Sequence, residues 1–75
     1  MVDVKIVAQR VRAGREGRQL RREDVASRAK VSITTVNNLE QGRWLPRIET
    51  LDRIASVLGV SVAELLEGEL LPMAA

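Results

Sequence analysis

The sequence contains no cysteine and no histidine, and its only aromatic residue is Trp44. Disulfide bonds are therefore excluded, and so are the usual zinc ligand sets. The serines and acidic residues have capping or ion-pair explanations, and neither a glycine-rich phosphate loop nor a cluster of carboxylates remains for catalysis. We therefore expect no cofactor and no metal, and we expect that the protein is not an enzyme.

Long apolar runs are also missing. No stretch approaches the roughly 20 residues that a membrane span needs. The N-terminal segment MVDVKIVAQR lacks the apolar core of a signal peptide. These absences predict a cytoplasmic protein with no membrane partner. A chain of 75 residues is one small domain, near the lower size limit at which a core is stable without disulfides or metals.

The charges are divided unevenly along the chain. Residues 1–47 hold eleven Lys or Arg and five acidic residues, whereas residues 48–75 hold one arginine and five acidic residues. Such asymmetry indicates a polyanionic partner. Arginines that merely solvate one face would give the same pattern, so charge alone leaves both interpretations open.

Apolar residues recur at helical spacing in five segments, and no segment alternates as a strand would, so the sequence predicts an all-α fold. The termini of these segments carry residues typical of helix ends: Asp3, Ser32, Gly42, Pro46, Gly59 and the capping box Ser61–Glu64. Gly14 and Gly17 should weaken the end of the first helix.

The third segment, VSITTVNNLEQG (31–42), presents amides and hydroxyls where the neighbouring segments present arginine. A connector of about three residues, Lys30 to Ser32, joins it to the second helix, which is the spacing of a helix-turn-helix. Asn can pair with adenine, Thr and Ser can donate or accept, and an Ile or Thr methyl can contact thymine. Arginines on the flanks would meet phosphates. A small helix bundle whose polar face meets only water is the alternative.

Further residues complete an ordered set at fixed spacing. The set comprises Ala26, Val31-Ser32, Val36, Leu39-Glu40-x-Gly42, Pro46, Glu49-Thr50-Leu51, Ile54-Ala55, Leu58-Gly59-Val60-Ser61 and Glu64-Leu65. From about Val4 to Leu66 the chain thereby resembles the phage-repressor-type (Cro/C1, Xre) helix-turn-helix family. The resemblance implies a compact five-helix lambda-repressor-like domain over residues 1–68, followed by a short tail over 69–75.

The resemblance also implies a function: a sequence-specific regulator of transcription, most simply a repressor, that binds double-stranded DNA and reads the major groove with helix 32–41. The alternative is a protein-binding module with the same fold, such as the antitoxin of a toxin–antitoxin pair. We expect a homodimer on a pseudo-palindromic operator, because specific sites are usually read by dimers. The candidate dimer residues are Leu66, Leu70 and Leu71.

Roles follow for the matching positions. The expected base-reading residues are Ile33, Thr34, Asn37 and Asn38. The expected phosphate-binding residues are Arg21, Arg22, Ser32, Thr35, Gln41, Arg43 and Arg47. Arg15 and Glu40 should form a structural ion pair that ties the first helix to the third.

Four residues are unusual for the family. Gly14 stands where a core residue such as leucine is common, and Arg21 replaces the Ser or Thr cap, which predicts an uncapped start for the second helix. Lys30 replaces the turn glycine, so a left-handed backbone there would cost roughly 1–2 kcal/mol. Trp44 could fold over the core, pack on a sugar-phosphate strand or meet a second subunit, and complete or partial burial in the core is the favoured option.

Overall fold

The computed structural model describes residues 3–66, which form five α-helices and no strand. The helices are α1 (Val4–Gly17), α2 (Arg22–Ala29), α3 (Ile33–Glu40), α4 (Ile48–Leu58) and α5 (Val62–Leu66). The predicted all-α, five-helix fold is confirmed. The predicted boundary at residue 68 and the dimer candidates Leu70 and Leu71 lie outside the described residues. Among residues 3–66, no helix combines the length and the apolar character needed to cross a membrane.

Side-chain caps start three of the helices as the sequence predicts. The Asp3 carboxylate accepts a hydrogen bond from the backbone N–H of Lys5 at 2.9 Å. Ser32 Oγ accepts from the Thr35 N–H at 3.1 Å, and Ser61 Oγ accepts from the Glu64 N–H at 3.1 Å. Each cap satisfies an N–H group that has no partner inside its helix, and so fixes where the helix begins.

A single aliphatic core joins all five helices. Its largest fully buried members are Leu39, Leu51, Ile54, Val7, Val11, Val25 and Val36. Helix α2 packs against α3 and α4, and α1 packs against α3, α4 and α5. Gly14, which departs from the family pattern, lies against Leu58: a Cβ built on Gly14 would be 3.4 Å from Leu58 Cδ1. The Leu58 side chain thus occupies the space that a larger residue on α1 would fill.

Helices α1 to α4 all end in one hydrogen-bonding pattern, the Schellman motif. A residue with positive φ donates its N–H to the carbonyl three residues earlier, and the next residue donates to the carbonyl five residues earlier. The positive-φ residues are Gln19 (58°), Lys30 (59°), Gly42 (70°) and Gly59 (76°). The predicted stops at Gly42 and Gly59 and the left-handed Lys30 are therefore present. The stop at Gln19 was not predicted from the sequence.

Four arginines donate hydrogen bonds to backbone carbonyls at the C-terminal ends of other helices. The bonds are Arg53 Nε to Ala29 O (3.1 Å), Arg12 Nη2 to Glu40 O (3.3 Å), Arg18 Nε to Leu58 O (2.9 Å) and Arg10 Nη1 to Leu65 O (3.0 Å). Positive charge is favourable there, because the last carbonyls of a helix lack internal partners and carry the negative end of the helix dipole. Part of the arginine excess therefore stabilises the fold.

Candidate nucleic-acid interface

Helices α2 and α3 and the turn between them form the frame of the candidate site. Lys30, at φ 59° and ψ 46°, reverses the chain after α2, and Ser32 starts α3 two residues later. Val36 and Leu39 anchor α3 in the core with no exposed area. Because these two residues fix the buried side of α3, the opposite side of the helix faces outward.

The outward side of α3 carries two rows of side chains, each spaced by four residues. Ile33 and Asn37 form one row, and Thr34 and Asn38 form the other, since residues four apart share a face of a helix. Ile33 and Thr34 are exposed, whereas Asn37 and Asn38 are half-buried. The expected base-reading residues thus lie together at one surface, although the two amides are more covered than the sequence suggested.

The two amide oxygens differ in their surroundings. Asn37 Oδ1 is cut off from solvent and has no hydrogen-bond partner among the described residues. Asn37 lines an open cavity between α2 and α3 together with Arg15, Arg22, Glu23 and Ile33. Asn38 Oδ1 accepts a long hydrogen bond, 3.4 Å, from Arg43 Nη1.

Glu40 is buried beneath this surface, with 2% of its area exposed. Arg15 donates to both of its carboxylate oxygens, from Nε at 2.6 Å and from Nη2 at 3.0 Å. This bond is the main cause that raises the pKa of the Arg15 guanidinium above its ordinary value. The ion pair expected from the resemblance is thus present, and it joins α1 to the C-terminal end of α3.

Two further arginines contact the same carboxylate. Arg22 Nε donates to Glu40 Oε1 at 3.3 Å, and Arg12 Nε lies 4.0 Å from that atom. Neither contact was predicted from the sequence. The spacing of Arg12 and Arg15, three residues apart on α1, indicates a shared helix face and could have suggested the Arg12 contact.

Arg21 and Asp24 close the start of α2. The Asp24 carboxylate accepts from the backbone N–H of Arg21 at 2.8 Å and from its guanidinium at 3.3 Å. The guanidinium bond and then the backbone bond hold the pKa of Asp24 below its usual value. The predicted uncapped start was therefore wrong in part: an arginine cannot accept a hydrogen bond as a cap, but the carboxylate three residues later supplies the reciprocal half of a capping box.

The remaining phosphate candidates differ in how much they are engaged. Ser32 and Thr35 share a hydroxyl–hydroxyl bond of 2.9 Å at the start of α3. Gln41 and Arg47 are exposed. Arg47 makes neither an ion pair nor a side-chain hydrogen bond with any other residue of the described range, and it directly precedes α4, whose start has no side-chain cap.

Trp44 lies on the surface between Arg43 and Arg47, with 43% of its area exposed. Leu45 and Ile48 are also exposed. Complete burial of Trp44 in the core is therefore excluded, although more than half of its area is covered; Pro46 is the buried residue of this loop. The indole is left available to a surface outside its own domain.

A short turn between two packed helices, with the second helix exposing a polar face beside basic residues, defines a helix-turn-helix protein. Comparison with known proteins agrees, since residues 6–67 match the family described as "Helix-turn-helix domain". The chain belongs to this family.

Among its relatives, the HTH-type transcriptional regulator DdrOP3 of Deinococcus deserti is 42% identical over 62 residues, which are 83% of this chain and 48% of the relative. The immunity repressor protein of Bacillus phage phi105 is 32% identical over 65 residues, which are 87% of this chain and 45% of the relative. The phage-repressor-type resemblance is thereby confirmed. This chain spans about half the length of these two relatives.

A solved structure is similar over nearly its whole length. The N-terminal DNA binding domain of SinR from Bacillus subtilis aligns with a TM-score of 0.81 and 25% identity. The alignment covers 89% of this chain and 99% of that domain. The fold of this chain is therefore that of a helix-turn-helix domain.

Proposed function

We propose that this protein is a transcriptional regulator that binds a specific double-stranded DNA sequence through α3. The observation that carries the proposal is the outward side of α3, where Ile33, Thr34, Asn37 and Asn38 lie together between arginine-bearing flanks. These four residues are the proposed base-reading set, because major-groove edges offer hydrogen-bonding groups and a thymine methyl that such side chains can distinguish. The relatives named as a transcriptional regulator and an immunity repressor support DNA regulation over the antitoxin alternative.

The proposed phosphate contacts form the flanks of that surface: Arg21, Arg22, Ser32, Thr35, Gln41, Arg43 and Arg47. Arg22 is well suited, because only its Nε is bonded to Glu40 and its side chain is 43% exposed. Its two terminal amino groups can donate to a phosphate while Glu40 fixes the guanidinium plane. Arg47 is suited for a different reason, since it stands beside the uncapped N–H groups at the start of α4, where an anion is favoured.

Repression is the simplest mode of action for such a protein. Occupying a promoter requires only that the domain binds there, whereas activation also requires a productive contact with the transcription machinery. The relative named as an immunity repressor is consistent with this mode. A reporter gene placed behind the selected binding site would test it, and a rise in transcription on expression of the protein would contradict repression.

We further propose that the protein binds as a homodimer to a pseudo-palindromic operator. Two recognition helices about 34–36 Å apart would read two half-sites, one helical turn of DNA apart. Leu66 is half-buried against the core, which leaves it a limited share of any dimer surface. Sedimentation equilibrium of the full chain, with and without its DNA site, measures the stoichiometry, and one chain per site would contradict the dimer.

Selection of bound sequences from a random DNA pool, with the full chain as bait, tests the central proposal. We expect a short enriched motif with two-fold symmetry. Binding of the enriched motif should fall with salt, because phosphate contacts displace condensed counterions. Equal enrichment of all sequences would contradict sequence-specific recognition, and no retained DNA at low salt would contradict DNA binding altogether.

A further inference from the structure

Asn37 and Asn38 differ from a typical base-reading amide, because in both residues the oxygen atom is already engaged or enclosed. A free Asn side chain pairs with adenine by donating from Nδ2 and accepting at Oδ1, so that both atoms meet the base edge. On α3, neither oxygen is presented outward as a free acceptor.

The orientation of the Asn37 amide follows from its surroundings. Its Oδ1 is cut off from solvent, and the side chain borders the open cavity that Arg15, Arg22 and Glu23 also line. A guanidinium carries only donors, so with two arginines and one carboxylate around the cavity a buried acceptor is electrostatically favoured over buried donors. The reversed amide would enclose N–H donors beside two cations, so the oxygen stays inside and the Nδ2 hydrogens remain on the outer side.

The orientation of the Asn38 amide is set by Arg43. The atom 3.4 Å from Arg43 Nη1 has to be an acceptor, since the guanidinium cannot accept a hydrogen bond. Asn38 Oδ1 is therefore turned toward the loop after α3, and its N–H groups are left without an internal acceptor. Arg43 acts on the amide from the side, five residues further along the chain.

We infer that Asn37 and Asn38 read the groove as hydrogen-bond donors and select guanine or thymine over adenine, and that Arg43 is the positioning residue that sets this preference for Asn38. Guanine offers O6 and N7 as acceptors, and thymine offers O4. Adenine offers N7 alone as an acceptor and places its N6 amino group, a donor, where guanine or thymine places a carbonyl oxygen. Ile33, exposed in the same row as Asn37, is placed to contact a thymine methyl. The inference refines the proposed function and rests on it.

The test begins with the enriched motif of the wild-type protein. Asn37→Ala and Asn38→Ala, each checked for folding by circular dichroism, identify the base pairs whose preference each amide sets. We expect guanine or thymine facing the amide at both pairs. Adenine at those positions in the wild-type motif would overturn the inference while leaving the proposed function intact, whereas a wild-type protein with no enriched motif would contradict the proposed function itself.

Arg43→Met tests the positioning role, with Arg47→Met as the matched control. Both variants lose one exposed cation, but only the first releases Asn38 Oδ1, because Arg47 has no bond to either amide. In Arg43→Met we expect the affinity for adenine at the Asn38 pair, relative to guanine or thymine, to rise about tenfold, since a released amide can pair bidentately. Arg47→Met should weaken all sequences by the same factor. Identical base preferences in the two variants would overturn the role assigned to Arg43.

Discussion

Replacing Lys30 with glycine is expected to stabilise the protein. Lys30 closes α2 at φ 59° and ψ 46°, a left-handed conformation that costs a residue with a Cβ roughly 1–2 kcal/mol. Its side chain is exposed and makes no hydrogen bond or ion pair with another described residue, so the substitution removes no packing. Glycine gains freedom in the unfolded chain, which offsets about 0.4–1 kcal/mol. We therefore expect a net gain of about 0.5–1 kcal/mol in the free energy of unfolding.

The gain is large enough to measure by thermal and urea denaturation, followed by far-ultraviolet circular dichroism. For a domain of this size, 1 kcal/mol moves the melting temperature by about 4–8 °C, so the expected rise is roughly 2–8 °C. The urea midpoint should rise with an unchanged slope, because the surface exposed on unfolding is the same. A melting temperature at or below that of the wild type would refute the assignment of strain to this turn.

The chain contains its own controls for this prediction. Gln19 closes α1 with the same motif at φ 58° and is also exposed, so Gln19→Gly should give a gain of similar size. Gly42 closes α3 at φ 70°, and a Cβ there would lie 3.2 Å from Lys5 Cγ, so Gly42→Ala should lower the melting temperature. A gain from Lys30→Gly without one from Gln19→Gly would place its cause outside the shared backbone conformation.

Three further substitutions probe helix packing, the buried carboxylate and the start of α2. Gly14→Ala should raise the free energy of unfolding by roughly 0.5–1 kcal/mol in a denaturant titration, because the added methyl meets Leu58 at ordinary contact distance and the helical penalty of glycine is removed. A lower free energy of unfolding would mean that α1 and α4 cannot accept the methyl. Glu40→Gln should lower the free energy of unfolding by about 3 kcal/mol, since it leaves the arginines around a buried position without their counter-charge. A decrease of less than about 1 kcal/mol would mean that the ion pairs of Glu40 contribute little to stability. The pKa of Asp24 is lowered, so its ionised form stabilises the fold above about pH 4, and that contribution is lost as the pH falls below the usual value of 3.8. The difference in unfolding free energy between wild type and Asp24→Asn should therefore shrink over this range. A constant difference would contradict the assignment.

Local signals accounted for most of the fold. The cap at Ser32 and the stop at Gly42 each depend on residues within one helical turn, and both are where the pattern predicted them. Gln19 escaped prediction because no glycine marks its left-handed conformation. The extent of Trp44 burial could not be predicted, because the loop buries Pro46 but covers the larger indole only in part, which composition cannot reveal.

The residues that form the candidate site could be predicted from the sequence, but their hydrogen bonds could not. Helical spacing was enough to bring Ile33, Thr34, Asn37 and Asn38 together on one side of α3. The engagement of the Asn38 oxygen by Arg43 depends on how the loop turns after Gly42, and the enclosure of the Asn37 oxygen depends on where α2 lies. Both are tertiary contacts, so the chemical character that each amide presents to a base emerges only from the fold.

Arginine serves two purposes in this protein, and the salt dependence of DNA binding can separate them. Four arginines donate to carbonyls at helix ends and Arg15 is bonded to Glu40; of the five arginines that remain, four are proposed phosphate contacts in each domain: Arg21, Arg22, Arg43 and Arg47. Each neutralised phosphate adds about −0.9 to the slope of log affinity against log salt. Four contacts per domain predict a slope of about −3.6, whereas a chain that directed all of its eleven N-terminal basic residues at DNA would approach about −10. A titration that gave the steeper value per domain would mean that the arginines bonded to carbonyls leave them on binding, and that the fold tolerates their loss.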